Sequence, residues 1–268
     1  MVPENESAGD MRSVYDEHVQ FYLDFVDEGL ADEAGFVHVL KTAFDELLGD
    51  RIRDARVCDV GCGEGYLGRH LIARGAREVV GIDLSVGLID AARHRSDAPD
   101  LEYRVDDAQE LATVADASCD VVVSQLALMD MADHRCVFRA VRRVLDEHGV
   151  FVFSILHPCF EGSPFRLPHE PKFLVDDDGA ATAYVVRRYA TEGFWRSGGT
   201  GVRGRMGSHH RTLSTYVNDL VDAGFVIERM LEAIVPDRGP RGGDVPLHAR
   251  LFAEVPPAVL LAAHVAGS

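Results

Sequence analysis

Cysteine pairs with the spacing of a zinc site are absent from this sequence. The five cysteines are Cys58, Cys62, Cys119, Cys136 and Cys159, and no two of them form a C-x-x-C pair. Structural zinc sites usually draw on such pairs, so we expect no metal site. The odd number of cysteines favours reduced thiols over a disulfide framework. For Cys58 and Cys119, which lie in apolar runs, packing is the expected role.

Long apolar runs and a targeting segment are absent as well. No stretch approaches the roughly 18 apolar residues that a membrane span requires. The first residues, MVPENESAGDMRSVYDEH, are polar and acidic, unlike a signal peptide. We therefore expect a cytoplasmic protein without a membrane partner.

Basic residues are scarce relative to acidic ones. The chain has 44 acidic and 27 basic residues, for a net charge of −17, and Lys41 and Lys172 are its only lysines. Binding to a phosphate backbone needs clustered basic residues, so we expect no nucleic-acid partner. The chain has 268 residues, of which 47% are hydrophobic, and this is enough for one large α/β domain.

Short apolar runs alternate with helical patterns along most of the chain, which predicts an α/β fold with a doubly wound, mostly parallel, seven-stranded sheet. The predicted strands are 55–60, 78–83, 101–105, 119–128, 150–156, 225–232 and 248–255, and the predicted helices between them are 65–75, 85–95, 134–149 and 212–224. The spacing of apolar residues also predicts helices over 11–48. Ligands of such sheets bind at the carboxyl ends of the strands.

The segment 157–210 interrupts this alternation. It contains four prolines and the glycine-rich run SGGTGVRGRMGS, and it is too long for a simple connection. We interpret it as a lid inserted after the fifth strand, with 182–195 as a hairpin arm. The predicted organisation is an N-terminal helical cap (1–50), a ligand-binding core (51–156), the lid, and a C-terminal part of the sheet with a tail (211–268).

A glycine-rich loop, VCDVGCGEGYLGRHL, follows the first strand and opens a helix. Gly61, Gly63 and Gly65 allow a ligand to approach the backbone, and the helix N-terminus adds N–H donors. Tyr66 stands where the nicotinamide fingerprint needs its third glycine, and no nucleoside-triphosphate loop is present. Asp83, at the end of the second strand, is placed to accept both hydroxyls of a ribose.

Five segments in order resemble the class I methyltransferases that use S-adenosylmethionine. They are VCDVGCGEGYLGRHL, VVGIDLS, DDAQEL, DVVVSQLAL and VRRVLDEHGVFVFSIL, within residues 55–156. The resemblance implies that S-adenosylmethionine is the cofactor. It also implies a set of cofactor-binding residues: Tyr15, Tyr22, Asp59, Gly61, Gly63, Gly65, Asp83, Leu84, Asp107, Ala108, Gln125 and Leu126.

Several of these residues have structural alternatives. Asp83 and Asp107 could instead cap the helices that follow them, and Asp106 competes with Asp107 for the contact to adenine. Tyr15 and Tyr22 could belong to a helix core.

The resemblance implies methyl transfer to an O or N atom of a small-molecule acceptor, which we expect to be a secondary metabolite, by a monomer or homodimer. The segments SILHPCF and HRTLSTYVNDLVDAGF resemble bacterial small-molecule members of the family. SQLALMDM stands after the fourth strand where nucleic-acid and protein methylases carry an N-P-P-Y-like segment. Two alternatives stay open: a different reaction on the same cofactor domain, or a non-catalytic cofactor-binding module.

Two histidines at the ends of the lid are the candidate catalytic residues. His157 directly follows the fifth strand and His210 precedes the helix that returns from the lid, so both are expected near one cavity. Neutral imidazole is well suited to accept a proton from a hydroxyl acceptor. The alternative is that His157 only terminates its strand and that His210 lies on the surface.

Overall fold

A computed structural model describes residues 11–33, 35–161, 173–175, 181–197, 199–235 and 255–267. In this part of the chain, a seven-stranded sheet carries the fold, with strand order β3-β2-β1-β4-β5-β11-β10. Its strands are β1 (Arg56–Val60), β2 (Glu78–Asp83), β3 (Leu101–Val105), β4 (Cys119–Gln125), β5 (Leu145–Leu156), β10 (Phe225–Ala233) and β11 (Ala258–Val265).

Strands β1 to β5 are all parallel, whereas β11 is antiparallel to both β5 and β10. The predicted doubly wound, mostly parallel, seven-stranded sheet is confirmed. Because β1 lies between β2 and β4, the loops that follow these three strands emerge side by side. They form the crevice where such sheets bind ligands.

Eight helices are described around the sheet and in the lid. They are α1 (Met11–Glu17), α2 (Val19–Ala31), α3 (Phe36–Leu48), α4 (Tyr66–Ala73), α5 (Val86–His94), α6 (His134–Val144), α7 (Val202–Arg205) and α8 (Leu213–Asp222). In α3, Leu40, Phe44 and Leu47 recur at spacings of four and three and are buried, which explains why this amphipathic segment docks on the sheet.

Each face of the sheet has its own hydrophobic core. Along β5, Phe151 and Phe153 pack on the face covered by α6 and α8, whereas Val150 and Val152 pack on the face covered by α3 and α4. This alternation follows from the two-residue period of a strand. Both faces are covered, so β5 is apolar at almost every position from Val150 on.

The cap formed by α1 to α3 is fastened to the core through polar contacts. The Asp16 carboxylate accepts hydrogen bonds from Ser85 Oγ (2.5 Å) and from the Gly87 backbone N–H (3.0 Å). Arg95, at the end of α5, donates to both Asp27 of the cap and Glu64 of the glycine-rich loop, each at 2.8 Å. The cap therefore satisfies polar groups that belong to the core.

Predicted boundaries in two parts of the chain were wrong by more than three residues. The helix predicted over 134–149 ends at Val144, because Leu145 is already extended and pairs with Cys119 of β4. The last strand of the sheet is Ala258–Val265 rather than 248–255. AVLLAAHV is apolar at seven of its eight positions and is buried on both faces, as a strand between two others must be. Residues 248–254 lie outside the described part.

The predicted lid contains two short antiparallel pairs. Strand β6 (Phe173–Val175) pairs with β7 (Ala181–Tyr184), and β8 (Gly193–Trp195) pairs with β9 (Ser208–His210). The expected single hairpin arm over 182–195 was therefore wrong, since β7 and β8 pair with different partners. Among the described helices, none combines the length and the apolar character that crossing a membrane would require.

The position of β11 makes a testable prediction about stability. Leu261 is fully buried on the α6–α8 face, so Leu261→Ala should lower the free energy of unfolding by about 2–5 kcal/mol. Val226 on edge strand β10 is 45% exposed, so Val226→Ala is the matched control and should cost much less. Urea unfolding measures both variants; equal losses would place Leu261 outside the core.

Candidate active site

A cavity of about 310 Å³ lies at the carboxyl ends of β1, β2, β3 and β4. The cap closes one side of it through Met11, Tyr15 and Tyr22. The remaining wall comes from the loops after these strands: Gly61, Gly63, Ile82, Asp83, Leu84, Ser85, Leu88, Asp106, Asp107, Ala108, Gln109, Gln125, Leu126, Ala127, Asp130, Met131 and Ala132. Ten of the twelve residues that the sequence indicated for the cofactor line this cavity, and the two that do not are Asp59 and Gly65.

Two positions in the loop after β1 require glycine because neighbouring residues approach the backbone closely there. Gly61 has φ +72°, and a Cβ there would lie 2.4 Å from Ala127 Cβ. Gly63 has φ +55°, and a Cβ there would meet the Tyr22 ring at 3.3 Å. Side chains at these positions would be strained and would also close the space between the loop and its neighbours. Because these two glycines have no side chains, the backbone of the loop is exposed to the cavity.

Gly65 and Asp59 do not line the cavity, contrary to the prediction. Gly65 begins α4 with φ +82°, and its Cβ would lie 2.2 Å from the Tyr103 hydroxyl, so its role is packing under the loop. Asp59 lies within β1, where side chains alternate between the two faces. It shares the face of Val57, which packs in the core below α4.

Asp59 is nevertheless an unusual group. It is 1% exposed, and its Oδ2 has no hydrogen-bond partner among the described residues. Burial raises the pKa of Asp59 to about 7, the nearby Asp83 adds to the increase, and a hydrogen bond from the Gly68 backbone opposes it. The carboxyl is therefore about half protonated near neutral pH.

Asp83 faces the cavity at the end of β2 and also fixes the glycine-rich loop. Its Oδ2 accepts from the Gly63 N–H and its Oδ1 from the Ser85 N–H, both at 2.9 Å. Burial raises its pKa, against the effect of these hydrogen bonds. The helix that follows is capped by Ser85, whose Oγ accepts from the Leu88 N–H, so Asp83 is not its cap. Leu84 adds apolar wall beside it.

Asp107 and Ala108 line the cavity after β3. The neighbouring carboxylate of Asp106 is occupied, since it accepts from the Asp107 N–H and from the backbone and hydroxyl of Thr113. Asp107 accepts from the Gln109 backbone through Oδ1 and from the Gln109 side-chain amide through both oxygens. Among the described residues, the two acids therefore differ in their partners: those of the Asp107 carboxylate come from Gln109 alone, whereas Asp106 also holds Thr113.

The loop after β4 brings Gln125 and Leu126 to the cavity. Leu126 has φ +50°, and its N–H donates to both the carbonyl and the hydroxyl of Ser154 on β5. The Gln125 Oε1 is buried without a partner among the described residues. An unpaired acceptor beside a cavity is costly unless a ligand supplies a donor.

Tyr15 and Tyr22 cover the cavity from the cap, so they are not only helix core. Their rings pack edge to face with centroids 5.6 Å apart. The Tyr15 hydroxyl donates to Asp130 Oδ2 at 2.7 Å. Burial raises the pKa of both phenols well above its usual value, so both remain protonated donors.

Asp130, Met131 and Ala132 were missed from the sequence. Asp130 ends a short 3-10 turn (Leu128–Asp130) after β4, Met131 and Ala132 follow that turn, and all three line the cavity with Gln125. A buried guanidinium holds their loop: Arg211 donates to the carbonyls of Leu128, Met131 and Ala132. The acid in SQLALMDM was the available signal, but its partner lies 73 residues away in the lid.

The two candidate catalytic histidines do not reach the cavity, and the expectation that they converge there was wrong. His157 Nε2 donates to Glu232 of β10 at 3.0 Å, and its Nδ1 accepts from the Cys159 N–H. It leans toward the antiparallel edge of the sheet because its N–H pairs with Pro257, just before β11. His210 is buried and donates from Nε2 to the Tyr189 carbonyl, so it is not a surface residue either. Burial lowers the pKa of both.

Known proteins share this architecture and its loops. A family model described as a methyltransferase domain matches residues 58–153. A crystal structure of an S-adenosylmethionine-dependent methyltransferase from Mesorhizobium loti is 30% identical; the match covers 80% of this chain and 92% of that one, with a TM-score of 0.65. The chain belongs to the S-adenosylmethionine-dependent methyltransferases.

Two curated relatives each match less than half of this chain. N-demethylindolmycin N-methyltransferase of Streptomyces griseus is 30% identical over 41% of this chain and 47% of its own length. Ubiquinone biosynthesis O-methyltransferase of Neisseria meningitidis serogroup C is 31% identical over 40% of this chain and 46% of its own length. The chain thus spans less than half the length of either relative.

The residues present fit S-adenosylmethionine, which is the cofactor of this methyltransferase. Its ammonium, ribose hydroxyls and adenine amino group are donors, and the cavity offers the acceptors Asp83, Asp107 and the unpaired Gln125 Oε1. The glycine-rich loop supplies backbone where a Cβ would fill the space. When bound, the cofactor supplies a methyl group activated by a positive sulfur.

The buried Asp59 makes a prediction about pH. Its raised pKa means that stability is lost as pH rises from the unfolded pKa of about 4 to about 7. Asp59→Asn should remove this loss, so the variant should gain roughly 2–3 kcal/mol relative to wild type between pH 5 and pH 7.5.

Unfolding of the cofactor-free protein at a series of pH values measures this difference. His134 and His209, whose pKa values burial lowers to about 4, titrate with the opposite sign, but they do so in both proteins. A difference that stays constant across this range would show that Asp59 does not titrate within it.

Proposed function

We propose that this methyltransferase acts on an O or N atom of a small-molecule acceptor. The observation that carries the proposal is the size of the cavity and its position between the cap and the loop after β4. Its volume is about 310 Å³, and Met11, Tyr15 and Tyr22 of the cap lie across it from the loop after β4. A covered cavity of this size, lined by both apolar and polar groups, is typical of small-ligand sites.

The cofactor end of the cavity is proposed to be the glycine-rich loop and the two acids after β2 and β3. Asp83 would accept from the ribose hydroxyls, and Asp107 with Ala108 would meet the adenine edge. Leu84 would pack on the adenine, and Tyr22 would lie over the backbone at Gly63. These roles are supported by the position of each residue on the wall and by the two amides that fix the Asp83 carboxylate.

The acceptor end is proposed to be the region of Gln125, Leu126, Asp130 and Met131. Methyl transfer needs an acceptor atom aligned with the reactive group and shielded from water. Leu126 and Met131 would supply apolar wall, and the Tyr22 hydroxyl would act as a donor, since the Tyr15 hydroxyl already donates to Asp130. None of the histidines in the described residues lines this cavity, so we propose that alignment and exclusion of water, rather than an imidazole base, drive the reaction.

The relatives support a small acceptor but leave its atom open, because one methylates nitrogen and the other is an O-methyltransferase. The first supports a role in secondary metabolism and the second a role in cofactor biosynthesis, and we favour the former as the working proposal. The net charge of −17 supports an acceptor that is not nucleic acid.

Fractionation tests the size class of the acceptor. The protein is incubated with methyl-labelled S-adenosylmethionine and a bacterial extract that ultrafiltration has divided into small molecules and macromolecules. Label should enter the small-molecule fraction. Gly63→Val, which fills the space beside Tyr22, is the control and should transfer no label. Label confined to protein or nucleic acid would contradict the proposal.

The role of Asp83 predicts a loss of cofactor affinity. Asp83→Asn removes the charge from its hydrogen bonds, so S-adenosylhomocysteine should bind about thirtyfold more weakly, or worse, by calorimetry. Asp90→Asn, on the exposed side of α5, is the matched control and should bind like wild type. An unchanged dissociation constant in folded Asp83→Asn would rule out the ribose contact.

A further inference from the structure

A buried ion pair joins the lid to the cavity wall. Arg203 of α7 forms a salt bridge with Asp130 through both of its terminal nitrogens. The side chains are only 19% and 11% exposed. Asp130 lines the cavity, whereas Arg203 lies behind it in the lid. The pair therefore connects a residue that faces the ligand to one that does not.

The arginine is held on its own side of this contact. Arg203 Nη1 also donates to the Gly207 carbonyl at 2.9 Å, and the Arg203 carbonyl accepts from the Ser197 N–H at 3.0 Å. The next arginine of the same helix, Arg205, stacks over the ring of Phe21 in the cap, 4.3 Å from its centroid. The guanidinium of Arg203 is thus a fixed charge rather than a mobile surface group.

The contact continues beyond Asp130 into the cofactor end. Asp130 Oδ2 accepts from the Tyr15 hydroxyl, the Tyr15 ring packs on Tyr22, and Tyr22 lies against the backbone at Gly63. A single line of contacts therefore runs from the lid, across the loop after β4, through the cap and down to the glycine-rich loop.

The charge of Asp130 explains why this line needs Arg203. A buried carboxylate without a compensating charge is costly, and removing one partner of a buried pair leaves that cost uncompensated. Among the described residues, Tyr15 and Tyr22 near Asp130 are neutral and Asp83 is itself acidic. The buried Arg211 donates to backbone carbonyls of the same loop, so Arg203 is the cation that contacts the Asp130 carboxylate directly. Without Arg203, Asp130 would be driven toward water and would release Tyr15.

We infer that Arg203 is a positioning residue for the cofactor: it keeps Asp130 in the cavity wall, and Asp130 holds Tyr15 and, through it, Tyr22 over the glycine-rich loop. This inference rests on the proposed place of Tyr22 at the cofactor end. It assigns a cofactor-binding role to a lid residue that does not line the cavity.

Charge rescue tests the inference by calorimetry with S-adenosylhomocysteine. Arg203→Met leaves Asp130 uncompensated and should weaken binding about tenfold or more. Arg203→Lys keeps the charge and should retain most of the affinity. In the double variant Arg203→Met with Asp130→Asn, no buried charge is left, so affinity should return to within about threefold of wild type. Arg135→Met, which removes an exposed partner of Asp219, is the control.

Thermal unfolding without ligand separates this role from a purely structural one. Variants that lower the melting temperature but bind like wild type would show that the pair only stabilises the lid, and the inference would fail. Equal weakening in the single and double Arg203→Met variants would also overturn it, because charge would then not matter. Asp83→Asn distinguishes a failure of this inference from a failure of the proposed function. If Asp83→Asn also binds S-adenosylhomocysteine like wild type, the proposed cofactor end is wrong; if only the Arg203 variants bind like wild type, the inference alone is wrong.

Discussion

The close approach of two loops governs the rest of the site. The loop after β1 meets the loop after β4 at Gly61 and Ala127, where even a methyl group on the glycine would overlap its neighbour. This contact is possible because β1 and β4 are adjacent and parallel, with Val57 opposite Val121. The cavity, its acids and its cover are all arranged around this junction, so the backbone at Gly61 and Ala127 limits the shape of the cavity.

The sequence was most informative where local pattern and chain order agree. Strand β2 was predicted at its observed bounds, and the glycine-rich loop and Asp83 fell on the predicted edge of the sheet, because parallel strands carry their carboxyl ends to the same side. The same rule about parallel strands predicted that Asp107 and Gln125 lie at this edge of the sheet. The positions of Gly65 and Asp59 were predicted wrongly, because a motif indicates which residues surround a loop but not which face of a strand each one occupies.

Contacts between distant segments could not be predicted. His157 was placed by the end of the fifth strand and His210 by the start of the helix after the lid, but hydrogen bonds to Glu232 and to Tyr189 decide where their rings lie. Asp130 was missed for the same reason, because its partners lie in distant segments, the cap and the lid. The final strand was predicted in the wrong place because the run of small and branched apolar residues near the C-terminus was taken for a tail. In the sheet, this run is β11 and lies between β5 and β10.

The cap is a separate segment of sequence but not a separate unit of folding. Asp16 satisfies the Ser85 hydroxyl and the Gly87 amide, Asp27 shares Arg95 with the buried Glu64, and Tyr15 donates to Asp130. Detaching the cap would remove one partner each from Ser85, Gly87, Arg95 and Asp130 and would uncover apolar surface under α3. The boundary near residue 50 therefore marks a change in sequence pattern, and the protein should unfold across it in a single cooperative transition.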